Sequence, residues 1–378
     1  MIFLDNASTT SLCKSGAENL LKYSEELFYN PSASYSMGFE NYKKIQGVKA
    51  RLAQKLGVEF KNNIIFTGSA TEATNLAIFG SYRPNWKKAV FSAGEHPSVY
   101  NCALELEARG VKVEFVELTK QGAVDLEKLS AVLDEDVAFL SIMQVSNETG
   151  AINNLEKIAR LKQQKCKNAI FHVDGVQAFG KLDVDLSKFS PDFYTISAHK
   201  FHGPKGLGAL YALNPQKLKP VTLGGGQEYN LRSGTENLPA IMALDGALRE
   251  LKSSDYESVK GLNQAFKETL KKNLNPEIPL KIMEGEIFSP YVISMSFKGI
   301  KGEVLQNLCD SNGLLISTGS ACSSKKSGNR ILEQIGHSME EIIGSVRVSF
   351  SRETTLEEAL EGAKILADSA NTLWRNTR

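Results

Sequence analysis

Between Asn62 and Leu213 the chain alternates short β-rich runs with helical patterns. "NNIIFTG", "KKAVFSAG", "VKVEFVEL", "VAFLSIMQV", "AIFHVDGV", "DFYTISAH" and "GLGALYAL" read as strands. "SATEATNLAIFGSY", "PSVYNCALELEARG" (stopped by Gly110), "DLEKLSAVL" and "NLEKIARLKQQK" read as the helices between them. A strand that returns to the same sheet through a helix does so by a right-handed crossover, so this alternation predicts an α/β fold with a mainly parallel sheet.

The rhythm changes after residue 220. "GGGQEYNLRSGTEN" is a glycine-rich polar loop, and a helical stretch follows from about Pro239 to Asn273, with an interruption expected near Ser253. "YVISMSFKG" and "SVRVSFS" then read as strands around the helix "GEVLQNLCDSNG", as in a smaller α+β domain. With 378 residues the chain exceeds the usual single core of about 100–200 residues. The expected division is a large domain over 15–250, and a small domain built from 1–14 and 251–378.

Charge narrows the class of partner. Lys plus Arg is 44 and Asp plus Glu is 43, a net charge of +1, which argues against a dedicated nucleic-acid or membrane-surface binder. No apolar run reaches the roughly 18–20 residues of a spanning helix, and "MIFLDNASTT" has neither a basic leader nor an extended apolar segment. Five cysteines (Cys13, Cys102, Cys166, Cys309, Cys322) are scattered without a CxxC pair, which predicts no metal site and no disulfide framework, and a reducing, cytoplasmic setting.

In open α/β sheets, ligands bind beyond the carboxyl ends of the strands. After "IIF" comes Thr67-Gly68-Ser69-Ala70-Thr71-Glu72, small and hydroxylated residues entering a helix. They can serve as an anion cradle or as an ordinary N-cap. Glu95-His96-Pro97 follows the next strand, Ser146-Asn147-Glu148-Thr149-Gly150 another, then Asp174, then His199 and Lys200. Each has a plain structural explanation alone: a loop histidine, a capping acid, a solvated lysine. Together they place complementary groups at five strand ends.

A lysine, an upstream aspartate, an anion cradle and a histidine are the protein's share of a pyridoxal 5'-phosphate (PLP) site. The lysine joins the cofactor covalently, the acid keeps the pyridine nitrogen protonated, and the helix N-terminus holds the phosphate. A dinucleotide site needs GxGxxG after an early strand, whereas "GPKGLG" has the wrong spacing and follows a late one. Lys205 reads as a solvated loop charge, His202 and His337 as structural or exposed, and His172 as a core residue with a hydrogen-bond partner.

Nearly end to end, the chain resembles the cysteine desulfurases of the NifS/IscS type, fold-type-I PLP enzymes of the class V aminotransferase group. The resemblance is carried, in order, by "FLDNASTT", "NPSASYSMG", "TGSATEATN", "EHPSV", "SNETG", "HVDGVQAFG", "SAHKFHGPKG", "RSGTEN", "STGSACSS" and "VRVSFSRETT". It implies a three-layer α/β/α large domain and a homodimer. Lys200 would carry the cofactor and move protons, Asp174 would hold the pyridine nitrogen, Gln177 the phenolic oxygen, and His96 would stack on the ring. Ala70, Thr71, Ser197 and His199 would bind the phosphate, and Thr235 would reach the phosphate in the partner subunit. Asn147 and Arg347 would position the substrate carboxylate, for which an arginine fork is apt.

Cys322 lies in "STGSACSSKKSGN", a stretch of small and polar residues expected to be mobile, where no apolar neighbour in sequence would bury it. The buried-cysteine reading fits Cys309 in "VLQNLC" instead. Lys325 and Lys326 would favour the Cys322 thiolate, solvate the loop or guide an acidic acceptor. The resemblance implies that L-cysteine is converted to L-alanine, that Cys322 takes the sulfur as a persulfide, and that an acceptor protein collects it for Fe–S cluster assembly or tRNA thiolation.

The sequence departs from the family's pattern in two places. Tyr35 stands where a histidine is usual, and "KKSGNRILEQIG" lacks the acidic-proline segment of housekeeping members. The second departure resembles variants with a dedicated acceptor. Two other readings stand beside this one: a related PLP enzyme (selenocysteine lyase, epimerase or aminotransferase), which needs no thiol in a "GSAC" loop, and a non-catalytic scaffold subunit.

Overall fold

The computed structural model describes residues 1–59, 63–285, 288–318 and 330–376. Cys322, Lys325 and Lys326 lie outside the described residues. In chain order the elements begin with β1 (Ile2–Phe3), α1 (Lys14–Glu25), α2 (Ser36–Lys55), β2 (Ile64–Thr67), α3 (Ala70–Ser81), β3 (Lys88–Ser92), α4 (Pro97–Ala108) and β4 (Lys112–Val116). There follow α5 (Leu126–Val132), β5 (Val137–Ser141), α6 (Leu155–Lys165), β6 (Ile170–Asp174), β7 (Phe193–Ser197), β8 (Gly208–Ala212), the turn α7 (Gln227–Asn230), α8 (Leu238–Glu250) and α9 (Asp255–Asn273). The last are β9 (Leu280–Ile282), β10 (Val292–Phe297), α10 (Gly302–Ser311), β11 (Leu314–Leu315), β12 (Ser317–Thr318), α11 (Arg330–Gln334), α12 (Met339–Ile343), β13 (Ser345–Ser349) and α13 (Leu356–Asn376).

Seven strands form one sheet in the order β2-β8-β7-β6-β5-β3-β4. Neighbours from β7 through β4 are parallel, and β8 is antiparallel to both β7 and β2. The sheet is covered on both faces, and successive side chains divide between two cores as period-2 strands require. Val90, Leu140, Tyr194 and Tyr211 enter one core, with Leu52 of α2 and Leu244 of α8. Their neighbours Phe91, Phe139, Phe193 and Leu210 enter the other, with Ala77 of α3 and Ala103 of α4. The result is the expected three-layer arrangement.

A second, antiparallel sheet has the order β12-β13-β10-β9, and β1 pairs with β11. Its core holds Phe266, Phe297, Leu305, Phe350 and Leu366, together with Leu4 from the start of the chain. The predicted break in the long helix falls between Glu250 and Asp255. Helices α1, α2 and α13 were not anticipated. Strand β5 ends at Ser141, short of the apolar run that continues to Val145.

Helix starts follow local chemistry. Ser69, Asp125, Asn154, Asn237 and Ser338 each accept a backbone N–H in the first turn of the helix they precede. The α3 start also depends on a glycine in the facing strand. A Cβ on Gly208 would stand 2.4 Å from the Ser69 carbonyl carbon and 2.6 Å from the Ala70 nitrogen, both backbone atoms. Gly208→Ala is therefore expected to cost about 1–3 kcal/mol by overpacking. Urea unfolding should show this as a lower midpoint with an unchanged slope; an unaltered midpoint would contradict the close approach.

Candidate active site

The strand directions bring the ends of β2, β3, β5, β6 and β7, and the start of β8, to one edge of the large sheet. Every site residue read from the strand ends lies along that edge. At the β2 end, Thr67 Oγ1 donates to the Ser69 carbonyl (2.8 Å), and the Ser69 hydroxyl caps Glu72 N (3.1 Å). The backbone N–H groups of Ala70 and Thr71 have no acceptor among the described residues. Glu72 does not oppose an anion there, because Arg232 binds one of its carboxylate oxygens (2.8 Å) and Gly68 N the other (2.6 Å). Thr235 lines an adjoining cleft of about 400 Å³ with Thr67, Gly68, Gly206 and Arg232.

Asp174 ends β6 and is buried. One carboxylate oxygen accepts from Val176 N (3.0 Å), and among the described residues no cation is hydrogen-bonded to it. Burial raises its pKa, and the opposing pull of His96 and Lys200 is weaker. Ser197 closes β7 and is buried, and His199 and Lys200 follow in a single 3-10 turn. The His199 Nδ1 lies 3.0 Å from Thr9 Oγ1, and burial brings its pKa down to about 4.

Lys200 Nζ donates to the carbonyls of Ala7 (2.9 Å) and Ser8 (2.6 Å). The Ala7 carbonyl also accepts from Gln177 Nε2 (2.8 Å), while Gln177 Oε1 accepts from Lys181 Nζ (2.7 Å). Lys181 is buried, and desolvation, helped by the charges of Lys200 and Arg347, lowers its pKa to about 7.

His96 is the N-cap of α4, its Nδ1 accepting from Ser98 N (3.2 Å). The residue is exposed overall, yet desolvation of its imidazole lowers its pKa, with Asp174 opposing. The preceding Glu95 is fully buried. One oxygen accepts from Met143 N (2.7 Å), the other has no partner among the described residues, and desolvation pushes its pKa well up. Arg330 donates to the backbone carbonyls of Ala93 and Glu95 and lies 4.1 Å from the Tyr100 ring centroid, which ties down the loop before His96.

Arg347, on β13, is buried against the β5 side of the edge. It donates to the Asn147 carbonyl (2.9 Å) and to Asp5 Oδ1 (2.9 Å), with Glu148 Oε1 at 3.5 Å. Its Nε and the Asn147 Oδ1 are buried with no partner among the described residues. Glu95 and Glu148 were read in the strand-end stretches but given no role, and Asp5, Lys181 and the Ala7 and Ser8 carbonyls were not foreseen as part of this neighbourhood. The i,i+4 spacing of Gln177 and Lys181 is the one sequence signal that could have paired any of them.

The other histidines and Lys205 behave as read. His172 is buried between Ser141 Oγ (2.8 Å) and Thr195 Oγ1 (3.0 Å), and burial lowers its pKa to about 3. His202 is buried with Nδ1 3.2 Å from Glu353 Oε1, His337 is partly buried, and Lys205 is exposed. No helix among the described residues is long and apolar enough to cross a membrane. No cluster of three or more His, Cys, Asp or Glu among them could hold a metal. A cleft of about 630 Å³ bordered by Lys181, Tyr256 and Tyr291 contains none of the site residues read from the sequence.

Residues 2–360 match the family model described as Aminotransferase class-V. A cysteine desulfurase of Sinorhizobium fredii is 36% identical over 356 residues, 93% of this chain and 91% of that protein. Among solved structures, a NifS-like protein superposes with a TM-score of 0.89 at 31% identity, covering 97% of this chain and 98% of the other. SspA in complex with cysteine superposes with a TM-score of 0.83 at 26% identity, covering 94% and 100%.

The depressed pKa of His172 has a direct consequence for stability. Below the ordinary histidine pKa near 6.5 the unfolded chain takes up a proton that the folded chain refuses until pH about 3, so this contribution is full above 6.5 and is lost as pH falls. The buried carboxyls Asp174 and Glu95, raised by burial, act in the opposite sense, so a variant is needed to isolate the histidine. The stability difference between wild type and His172→Gln should shrink by up to about 1.4 kcal/mol per pH unit below pH 6. Urea unfolding between about pH 5 and pH 7.5 reads it; a gap that does not change with pH would contradict a neutral His172.

Proposed function

This chain belongs to the class-V aminotransferases, among the cysteine desulfurases, and from that membership we propose how its residues divide the work of taking sulfur from L-cysteine. One observation carries the reading: Lys200, Asp174 and the open N-terminus of α3 converge on a single sheet edge.

The residues present fit PLP. Asp174 is a buried carboxylate with no hydrogen-bonded cation among the described residues, the Ala70 and Thr71 N–H groups lack acceptors there, and Gly208 clears the backbone beside them. When bound, PLP supplies an electron sink conjugated to the substrate's α-carbon. Asp174 would face the pyridine nitrogen, and a protonated nitrogen there would supply the cation that this buried carboxylate lacks. Ala70 and Thr71, with Ser197 and His199, hold the phosphate. Gln177 offers its amide to the phenolic oxygen. Lys200 carries the cofactor and moves the α-proton, and His96, whose lowered pKa keeps it neutral near pH 7, is suited to accept one.

Arg347 and Asn147 receive the substrate carboxylate. The unpaired Arg347 Nε supports this assignment, although Asp5 already occupies one arm of the guanidinium. Cys322 attacks the substrate sulfur as thiolate. The new S–S bond forms as the C–S bond breaks, its electron pair stays with the substrate carbon, and protonation there releases L-alanine. The persulfide then passes to an acceptor protein serving Fe–S cluster assembly or tRNA thiolation.

The same reading divides the chain into a large part, 15–250, and a smaller one, 1–14 and 251–378. It also makes the protein a cytoplasmic homodimer. Phe28, Tyr35, Phe39 and Tyr42 are exposed, as are Leu223 and Tyr229 close to the Thr235 loop. Ser32 is 3.4 Å from Glu236, which connects the two stretches. A second copy covering this aromatic surface would bring Thr235 to the neighbouring phosphate.

The decisive experiment is mass spectrometry of Cys322 after incubation with L-cysteine. A gain of one sulfur atom is expected at Cys322, absent in Lys200→Ala, and Cys322→Ala should abolish alanine production. A PLP-loaded protein that forms alanine with Cys322 unmodified, or retains transaminase turnover as Cys322→Ala, would refute the transfer route.

A further inference from the structure

We propose that Lys181 is a positioning residue that fixes the side-chain amide of Gln177, so that its Nε2 faces the floor of the site where Lys200 stands. The inference rests on the assignment of PLP to that floor, and concerns a residue to which that assignment gives no role.

The hydrogen-bond directions determine the orientation. An amide oxygen and nitrogen are interchangeable in shape, so only the partners decide which faces which way. On one side of Gln177 stands the Lys181 amine, 2.7 Å from Oε1. It carries an N–H for that oxygen whether or not it is charged, and as the ammonium it can only donate. On the other side is the Ala7 carbonyl, 2.8 Å from Nε2, which can only accept. Both neighbours require the same orientation, leaving the second N–H of Nε2 for an acceptor in the site.

The Ala7 oxygen is also a partner of Lys200 at 2.9 Å. A continuous path of three hydrogen bonds therefore runs from Lys181 through Gln177 and Ala7 to Lys200. The Gln177 hydrogen bond is the one polar contact of Lys181 Nζ among the described residues, apart from the Tyr291 ring at 5.8 Å. Charges facing this amine come from Lys200 and Arg347, and both repel it. A side chain that only filled this space would be buried at less cost as methionine, since a desolvated amine is destabilising unless hydrogen-bonded. Without Lys181, the Gln177 oxygen would be buried and lose its donor, and only the Ala7 carbonyl would still hold the amide's orientation.

The test uses full-length protein loaded with PLP: wild type, Lys181→Met, Gln177→Ala and the double variant. The readout is the pH at which the visible absorption of bound PLP shifts. A donor to the phenolic oxygen favours its deprotonated form, so losing the donor raises the midpoint. Lys181→Met and Gln177→Ala should each raise it, by roughly one pH unit, and the double variant should move it no further than Gln177→Ala.

Lys181→Gln, which keeps an N–H for Oε1, should hold the wild-type midpoint. It also serves as the folded comparison should the methionine variant be unstable. Additive shifts would show Lys181 acting as a charge through space and would overturn the inference, as would an unmoved midpoint in Lys181→Met. Wild-type protein that takes up no PLP would overturn the cofactor assignment itself, an outcome distinct from either.

Discussion

Residues 4 to 13, which turn at Asn6–Ser8, form a strap between the smaller sheet and the turn that carries Lys200, and the candidate site depends on it. At one end Ser349 N donates to Leu4 O (2.7 Å), Asn6 Nδ2 donates to Ser349 O (3.0 Å), and Ala7 N donates to Ser349 Oγ (2.8 Å). At the other, Thr10 N donates to His199 O (2.9 Å), Thr10 Oγ1 accepts from His202 N (2.7 Å), and Cys13 N donates to His202 O (3.1 Å). Buried peptide groups must be paired, so these bonds leave the strap little freedom. Its position between them supplies the Ala7 and Ser8 carbonyls to Lys200 and the Asp5 carboxylate to Arg347. The two sheets are thus joined through the same strap that supplies carbonyl partners to Lys200.

At the strand edge Arg347 pairs with Asp5 and Arg232 with Glu72, whereas Asp174, Glu95, His96 and Lys181 make no close ion pair among the described residues. Desolvation is the leading influence on Asp174, Glu95, His96 and Lys181, and in each case it favours the neutral form. Nearby opposite charges oppose it for the first three without overcoming it. Such a site has unspent capacity to stabilise charge brought in by a ligand, which is a common condition of functional sites. The buried Lys49–Glu228 pair, 2.6 Å apart, is different. Glu228 also accepts from Phe66 N (2.9 Å), and the pair secures a turn in which Glu228, Tyr229 and Asn230 all have positive φ. That strained turn leads directly into the Thr235 loop, so this pair positions a segment of the site without entering it.

The strand ends were legible because two periodicities coincide. Strand residues alternate between two buried faces, and the helices that follow begin at recognisable caps, so the turns between them could be located to within a few residues. Thr71, His96, Asp174 and Lys200 were found that way. The strap was not, because its contribution is made by main-chain carbonyls, which every residue possesses and no pattern marks. Lys181 was equally hidden among 44 lysines and arginines: nothing in its local sequence says that it is buried. The unread helix α13 is another matter. Ala359, Ala363, Leu366, Ala367 and Ala370 are buried at helical spacing, so that signal was present, carried by small side chains that make a weak apolar stripe.

The thiols give an independent reason to look to Cys322. Cys13, Cys102, Cys166 and Cys309 are all buried, and burial raises the pKa of each. For Cys102, Cys166 and Cys309 the value reaches about 11. At neutral pH a thiol of that pKa is ionised in roughly one molecule in ten thousand. Cys102 is further occupied in donating to the Ser98 carbonyl (3.1 Å). Sulfur transfer needs a thiolate that can meet the substrate, and none of these four can supply it at a useful concentration without unpacking a core. Of the chain's five cysteines, only Cys322 is left by this argument to fill the role proposed for a thiolate.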